Sequence, residues 1–469
     1  MRKLPDLKDK RITVMGLGLN QGGLGVARFL AKSGAQLLIT DLKREEELAE
    51  SLTKLKGFSN IQYVLGEHRA QDFSNIDMVI RNPAVPNDSE YLQIAKKHNV
   101  PVETDLSLFL KICPSQNFIA VGGTKGKSTV SNLIYHTFSR AQKNIVYAGN
   151  IGISVFGVLP KITPDTIVLL EISSWQLEGL SKIHFKPRVS VLTNILADHL
   201  DRYDSFPDYV LAKKLIFKNQ SQADCLITNL DSPITKNIDD ETNANVFWFS
   251  TKAEPIQGSY LKDDKLLFKY RDRLTEFCSI SDIPLPGIHN VSNVLAASIV
   301  FFLYELPLHA IQKGIETFPG VPNRLEKVRF LRGITFYNDT CATTPDATIA
   351  AIQSFPKEPL IIILGGKDKN LNYDELCDAL KAKKNIIKLI ILHHPEYSAS
   401  KLIWQQLQRL NLNKKIELCS SMSEAVKKAY EQAIPGTKII LSPAAASFGM
   451  FAHEFERGDC FRQAVQELS

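Results

Sequence analysis

No apolar run in this chain of 469 residues approaches the ~18 needed to cross a bilayer, so no membrane span is predicted. Met1 to Lys10 is charged and lacks the apolar centre of a signal peptide, which makes a cytoplasmic setting the expectation. Paired cysteines are missing as well. The seven thiols, at 113, 225, 278, 341, 377, 419 and 460, are scattered and form no C-x-x-C. That pattern excludes a disulfide frame and a cysteine zinc site, and implies reduced thiols. Nor does one sign of charge dominate: 56 Lys and Arg against 50 Asp and Glu leave +6. So dilute an excess suits neither a nucleic-acid groove nor a polybasic membrane anchor, and neither partner is expected. No internal repeat and no low-complexity tract occurs. What remains is ordinary globular composition, 44% hydrophobic and 23% charged, long enough for roughly three domains at about 150 residues each.

Short β-branched runs alternate with amphipathic stretches, the pattern of α/β domains with parallel sheets. A strand over Arg11 to Met15 enters GLGLNQGG, a helix follows from Leu24 to Lys32, and a second strand ends at Asp41. This resembles a nucleotide-binding βαβ unit, with an acid placed to meet a ribose hydroxyl. Gly16 and Gly18 fit its fingerprint, but Gln21 stands where the third glycine belongs, so a plain tight turn reads equally well. A second start is the strand Asn117 to Val121, feeding GGTKGKSTV and a helix from about Thr129 to Arg140. A third follows Gly320, with ITFYND, PLIIILGG, IIKLIIL and KIILSPA. The expected fold is three α/β domains: Rossmann-like over 1–104, a P-loop ATPase-type parallel sheet over 105–320, and Rossmann-like over 321–469.

Gly123, Thr124, Lys125, Gly126, Lys127, Ser128 and Thr129 lie between strand and helix, where a phosphate-binding loop belongs. Its glycines let backbone N–H groups approach phosphate oxygens, Lys127 supplies positive charge, and the Ser128 hydroxyl can meet Mg²⁺. Val121 replaces the first glycine of the longer Walker pattern. Glu171 ends a strand over Val168 to Glu171, the position of a second Mg²⁺ contact. Taken on their own, Asp198 and His199 form a polar loop, and Lys213 beside Lys214 is a surface lysine.

The short G-T-x-G-K-S loop resembles that of the Mur ligases, the ATP-dependent amino-acid-adding enzymes of peptidoglycan synthesis, and of the related folylpolyglutamate synthetases. EISSWQLE and NILADHLDRY are similar to ELSS-x-Q-L and N-x-x-x-DH-x-DRY of the D-glutamate-adding branch. The DRY ending differs from the D-Y-H-G of the diaminopimelate- or lysine-adding branch. Tyr209 to Lys213 matches Y-x-x-A-K, and GIHNVSNVLAA matches G-x-HN-x-x-N-x-x-AA. The C-terminal third adds VPNRLE, YNDTCATTP, GGKDK, LSPAAASF and HEFERG, so the resemblance spans nearly the whole chain.

That resemblance implies a set of roles. Lys127, Glu171, His199 and Lys213 are the catalytic group. Ser128 and Glu171 would hold one Mg²⁺, and His199 with Lys213 a second, Lys213 being carboxylated by CO₂ to a carbamate. Asn290, Asn293, Arg324 and Asp339 would join residues 123–129 around ATP. Leu19, Asn20, Asp41, Leu42, Lys43, Asn82, Pro83, Asn150, Ser173 and Gln176 would hold a uridine-diphosphate sugar substrate. Thr343, Lys369, Ser447 and Phe448 would bind the incoming amino acid. The implied reaction joins UDP-N-acetylmuramoyl-L-alanine to D-glutamate at the expense of ATP, in a monomeric enzyme of cell-wall synthesis.

Three departures from the pattern concern the third domain. Asn323 replaces a histidine, Cys341 replaces a lysine, and Glu454-Phe455 reverses an aromatic–acid order. They leave open a related ligase for another amino acid, such as L-glutamate. A non-catalytic nucleotide-binding homologue would be expected to lack Lys127, Glu171, His199 or Lys213, and all four are present. The second phosphate loop and the broken glycine fingerprint disfavour a nicotinamide oxidoreductase.

Overall fold

Alternating β-branched runs and amphipathic helices become three sheets in the computed structural model, which describes residues 6–18, 21–196, 198, 202–412 and 416–469. Three residues singled out above, Leu19, Asn20 and His199, lie outside the described residues. The sheets fall in two compact units, Met1–Asp282 with Ser292–Glu316, and Ile283–Val291 with Thr317–Ser469.

In the first unit, β1 (Arg11–Met15), β2 (Gln36–Asp41), β3 (Ile61–Leu65), β4 (Met78–Arg81) and β5 (Val102–Glu103) form a parallel sheet ordered β3-β2-β1-β4-β5. The strand order reverses between β1 and β4, and in such sheets ligands bind outside the carboxyl ends at that point.

The same unit holds a second sheet. Its strands are β6 (Phe118–Gly122), β7 (Ile145–Gly149), β8 (Ile167–Glu171), β9 (Val189–Leu192), β10 (Cys225–Asn229), β11 (Asn245–Ser250), β12 (Gly258–Lys262), β13 (Lys265–Tyr270) and β14 (Arg273–Ser279). Their order is β14-β13-β12-β11-β10-β9-β6-β8-β7. The strand before the phosphate loop, β6, thus lies between β8 and β9. Register aligns Val121 with Glu171 and Gly122 with Leu192, so all three strands end level. β12 to β14 form an antiparallel meander that the alternation of the sequence did not announce. β6 and β8 are buried along their whole length, because helices cover a parallel sheet on both faces.

The second unit contains β15 (Glu326–Leu331), β16 (Ile334–Asn338), β17 (Leu360–Leu364), β18 (Ile386–Leu392), β19 (Ile416–Cys419) and β20 (Lys438–Leu441), ordered β15-β16-β20-β17-β18-β19. Only β15 runs antiparallel. The LIIIL of β17 is fully buried between two apolar clusters, each side chain contributing about 1.5–3 kcal/mol. β16, β20 and β17 are neighbours, which brings the loops after them to one sheet edge. Among the described residues no helix is long and apolar enough to cross a membrane.

Candidate active site

The phosphate loop leaves β6 and enters the helix Lys127–Arg140, whose N-cap is Gly126 at φ +85°. A Cβ there would stand 2.5 Å from Asn293 Oδ1, so glycine is required twice over, by backbone and by space. The same approach places Asn293 against the loop. The loop is pinned by residues following β9. Thr193 Oγ1 donates to the Lys125 carbonyl at 2.6 Å. The Asn194 amide accepts from Lys125 N–H at 2.9 Å and donates to the Lys125 carbonyl at 3.0 Å. Thr124 Oγ1 accepts from Leu196 N–H at 3.0 Å and lies 3.0 Å from the Tyr209 hydroxyl, which burial pushes up to about 12. Thr193 and Tyr209 were not among the residues assigned roles from sequence, although Tyr209 opens the Y-x-x-A-K motif and Thr193 directly precedes NILADHLDRY. Gly123, at φ +132°, has no room for a Cβ beside Thr193. Gly123→Ala is therefore expected to lower Tm by several degrees and weaken ATP binding at least about tenfold, checked by calorimetry with and without nucleotide.

Glu171, at the tip of β8, is almost fully buried and collects polar neighbours. Ser128 Oγ donates to its Oε1 at 3.1 Å and Ser131 Oγ to its Oε2 at 3.1 Å, with the Tyr147 hydroxyl at 3.3 Å. Asn150 Nδ2 lies 3.5 Å from Oε1, which joins Asn150 to this group. Ser131, one helical turn beyond Ser128, is a further site residue that the i, i+3 spacing could have revealed.

Lys213 is buried on the helix Phe206–Lys214, and its Nζ donates to the Gly123 carbonyl at 2.8 Å. Lys127 Nζ donates to that same carbonyl at 3.0 Å and to the Thr124 carbonyl at 2.9 Å. Two ammonium groups on one acceptor repel. Burial first, then Lys127 and Lys125 push the Lys213 amine down to about 7, against an opposing pull from Asp198. Lys213 is thus no surface lysine. Its Nζ, lowered to about 7, reaches the phosphate loop from the helix Phe206–Lys214.

Among the described residues no three His, Cys, Asp or Glu side chains gather as a ready metal cage. The donor set at Glu171 and Ser128, hard oxygens from one carboxylate and one hydroxyl, suits Mg²⁺, which keeps waters and takes phosphate oxygens for the rest.

At the carboxyl edge of the first sheet, Asp41, the last residue of β2, is buried and its oxygens accept from Gly18 N–H at 3.0 Å and Lys43 N–H at 2.9 Å. It holds the turn after β1. Asn82 Nδ2 donates to the Gly16 carbonyl at 3.1 Å, joining the ends of β1 and β4. Leu42 is largely exposed, and Lys43 lies 3.4 Å from Glu47. The close helix approach expected of a third glycine at position 21 is made by Gly23, where a Cβ would collide with the Leu17 carbonyl. Ser173 and Gln176 form a capping box at the start of the helix Ser174–Gly179, with Ser173 N–H donating to Gln176 Oε1 at 3.0 Å. Their spacing therefore has a structural cause of its own.

In the second unit, the neighbouring loops after β16, β17 and β20 bring the amino-acid candidates together. Lys369 Nζ donates to Thr343 Oγ1 at 3.3 Å. Ser447 Oγ is buried with no hydrogen-bond partner among the described residues, a donor left for a ligand oxygen. Phe448 beside it is half exposed. Arg457 is fully buried behind these loops. It donates to Thr340 Oγ1 at 3.0 Å, the Thr340 carbonyl at 2.9 Å and the Ala445 carbonyl at 3.1 Å. Burial pushes it down to about 10. Asp339 accepts from Ser442 Oγ at 2.9 Å and Leu325 N–H at 3.1 Å, and burial raises its carboxyl to about 7. Arg324 is exposed, and Asn290 Nδ2 donates to the Pro286 carbonyl at 2.7 Å. Asn323, in place of histidine, has φ +67° and accepts from Asn338 Nδ2 at 2.9 Å and Arg462 at 3.0 Å, a backbone state asparagine tolerates. Burial raises the Cys341 thiol, so a neutral group stands where the pattern has a lysine.

Three family models match in sequence order: the Mur ligase MurD-like N-terminal domain over 10–104, the Mur ligase middle domain over 121–301, and the Mur ligase glutamate ligase domain over 323–445. A UDP-N-acetylmuramoylalanine–D-glutamate ligase of Roseiflexus sp. is 37% identical over 99% of this chain and 100% of its own length. The chain belongs to the Mur ligase family. Enzymes of the same name from Clostridioides difficile, at 34% identity over 99% of this chain and all of theirs, and from Borreliella afzelii, at 35% over the same shares, agree. Among solved Mur ligases, UDP-N-acetylmuramate–alanine ligase MurC of Thermotoga maritima superposes with a TM-score of 0.63 at 21% identity, covering 97% of this chain and 99% of its own. MurF of the same organism gives 0.57 at 14%, covering 100% of this chain and 97% of its own. At these identities the structures speak for the Mur ligase fold alone.

Proposed function

We propose that this Mur ligase adds D-glutamate to UDP-N-acetylmuramoyl-L-alanine, consuming ATP, in the cytoplasmic assembly of peptidoglycan precursors. The observation that carries the chemistry is the convergence of Lys127 and Lys213 on the Gly123 carbonyl, in the loop whose Ser128 meets Glu171. The full-length likeness to three D-glutamate ligases supports the choice of substrates.

Residues 1–104 hold the nucleotide-linked sugar, 105–320 hold ATP, and 321–469 hold the amino acid. A carboxylate is a poor electrophile, so the terminal phosphoryl group of ATP passes to the alanyl carboxylate, giving an acyl phosphate and ADP. The amine of D-glutamate attacks that carbonyl, phosphate leaves, and an amide remains. Lys127 and the loop N–H groups bind and neutralise the transferring phosphoryl group. Ser128 and Glu171 would hold Mg²⁺. Lys213, neutral as the amine, would take up CO₂ and release a proton, and the resulting carbamate, with His199, would hold a second Mg²⁺. Bound Mg²⁺ supplies charge neutralisation for the phosphoryl transfer. Lys369, Thr343 and Ser447 bind the carboxylates of the amino acid, while Arg457 fixes the loops that present them.

Phosphate release with UDP-N-acetylmuramoyl-L-alanine against a panel of D- and L-amino acids tests the reading. Turnover confined to D-glutamate is expected. Preference for another amino acid would assign a different specificity, with Cys341 the first position to exchange for lysine, and no release with any amine would remove the ligase reading.

A further inference from the structure

Arg202, in the DRY segment, has no role in the chemistry above, yet it is among the most engaged cations of the first unit. Its guanidinium donates to the Ala84 carbonyl at 2.8 Å and the Pro83 carbonyl at 3.0 Å. It lies over the Trp175 ring at 4.4 Å and 3.7 Å from Glu178 Oε2. From the other side Arg81, buried at the end of β4, donates to the Val85 carbonyl at 3.1 Å and to Asn87 Oδ1 at 2.5 Å. Three successive carbonyls, those of residues 83, 84 and 85, are therefore taken by two guanidinium groups. The loop they grip begins at Asn82, whose side chain joins β4 to the Gly16 turn.

We propose that Arg202 is a positioning residue for the nucleotide-sugar substrate, setting the Asn82–Pro83 loop against the segments that carry the phosphate-transfer residues. Two geometric facts support it. Trp175 and Glu178 lie on the helix immediately after Glu171, and Arg202 lies three residues beyond His199. A displacement of the loop is thus a displacement relative to the chemistry. Only a planar fork can serve two adjacent carbonyls while stacking on an indole, which is why arginine and not lysine suits the place. Glu178 completes the device. Without it two cations face each other: burial and then the Arg202 charge lower Arg81, with Glu178 opposing, while burial raises Glu178 against the pull of both arginines.

This inference rests on the nucleotide-sugar reading of the first sheet, and the experiment separates the two. The full chain and the variants Arg202→Ala, Arg202→Lys and Glu178→Gln are compared in KM for each substrate, in UDP affinity by calorimetry, and in Tm. Arg202→Ala is expected to raise KM for the UDP-sugar and Kd for UDP about tenfold or more, with KM for ATP and D-glutamate within about twofold. Arg202→Lys should recover part of the loss, and Glu178→Gln should show a smaller rise of the same selectivity. If Arg202→Ala does not fold, the other two variants decide by the same selectivity. Equal rises in all three KM values, or a lower Tm with UDP affinity unchanged, would overturn the proposal. Wild-type protein that binds no UDP would overturn the parent reading along with it.

Discussion

Lys213→Ala is expected to lower turnover at least about 100-fold while leaving the fold intact, and added acetate or propionate should restore part of it. A lysine with its Nζ against a carbonyl already occupied by Lys127 is held near pH 7 between its two protonation states. Only the neutral amine reacts with CO₂, so occupancy of the carbamate should rise as pH increases through about 7, opposite to the trend for a group that must be protonated. Alanine removes the amine on which the proposed carbamate would form, and leaves a buried space that a short carboxylate can enter. Phosphate-release assays at fixed pH, with and without bicarbonate and with the rescuing acids, provide the check. Full activity in CO₂-depleted buffer, or no loss in Lys213→Ala, would place Lys213 outside the reaction.

Glu171→Gln should reduce phosphate release by about 100-fold and raise the Mg²⁺ concentration needed for half-maximal rate. The substitution keeps size and one acceptor oxygen but removes the negative charge. It also puts an NH₂ group opposite hydroxyls now directed at Oε1 or Oε2, and these can rotate to accept from it. The fold is therefore expected to survive with a Tm change of a few degrees, whereas Glu171→Ala would strand several buried donors at a cost of about 1–3 kcal/mol each. An unchanged Mg²⁺ titration in Glu171→Gln would remove Glu171 from the metal site.

The two kinds of site residue were not equally legible. Glycine-lysine-serine after a β run, and an acid at the tip of another, are local chemistry, so the phosphate loop and Glu171 could be read directly. Lys213 could be read only through the family's Y-x-x-A-K motif. Beside Lys214 its own neighbours have the pattern of a solvated face, and burial against Gly123 is the physical feature that sets it apart. Thr193, Ser131 and Tyr209 were passed over because hydroxyl residues near a strand end are common, and their partners lie 40 to 85 positions away in the chain. The glycine fingerprint is indeed broken at Gln21. Close packing was satisfied two residues later by Gly23, since what matters is where the helix crosses the turn.

Composition, periodicity and short motifs were enough to specify an α/β chain with parallel sheets, a phosphate loop and a place in its family, because each depends on neighbours along the chain. The order of strands was a different matter. Putting β6 between β8 and β9, and β20 between β16 and β17, decides which loops meet, and no local pattern encodes it. So do the shared carbonyl of Lys127 and Lys213 and the grip of Arg202 on residues 83 and 84. Such groups acquire their chemistry from burial and from partners distant in sequence, and those exist only once the chain has closed on itself.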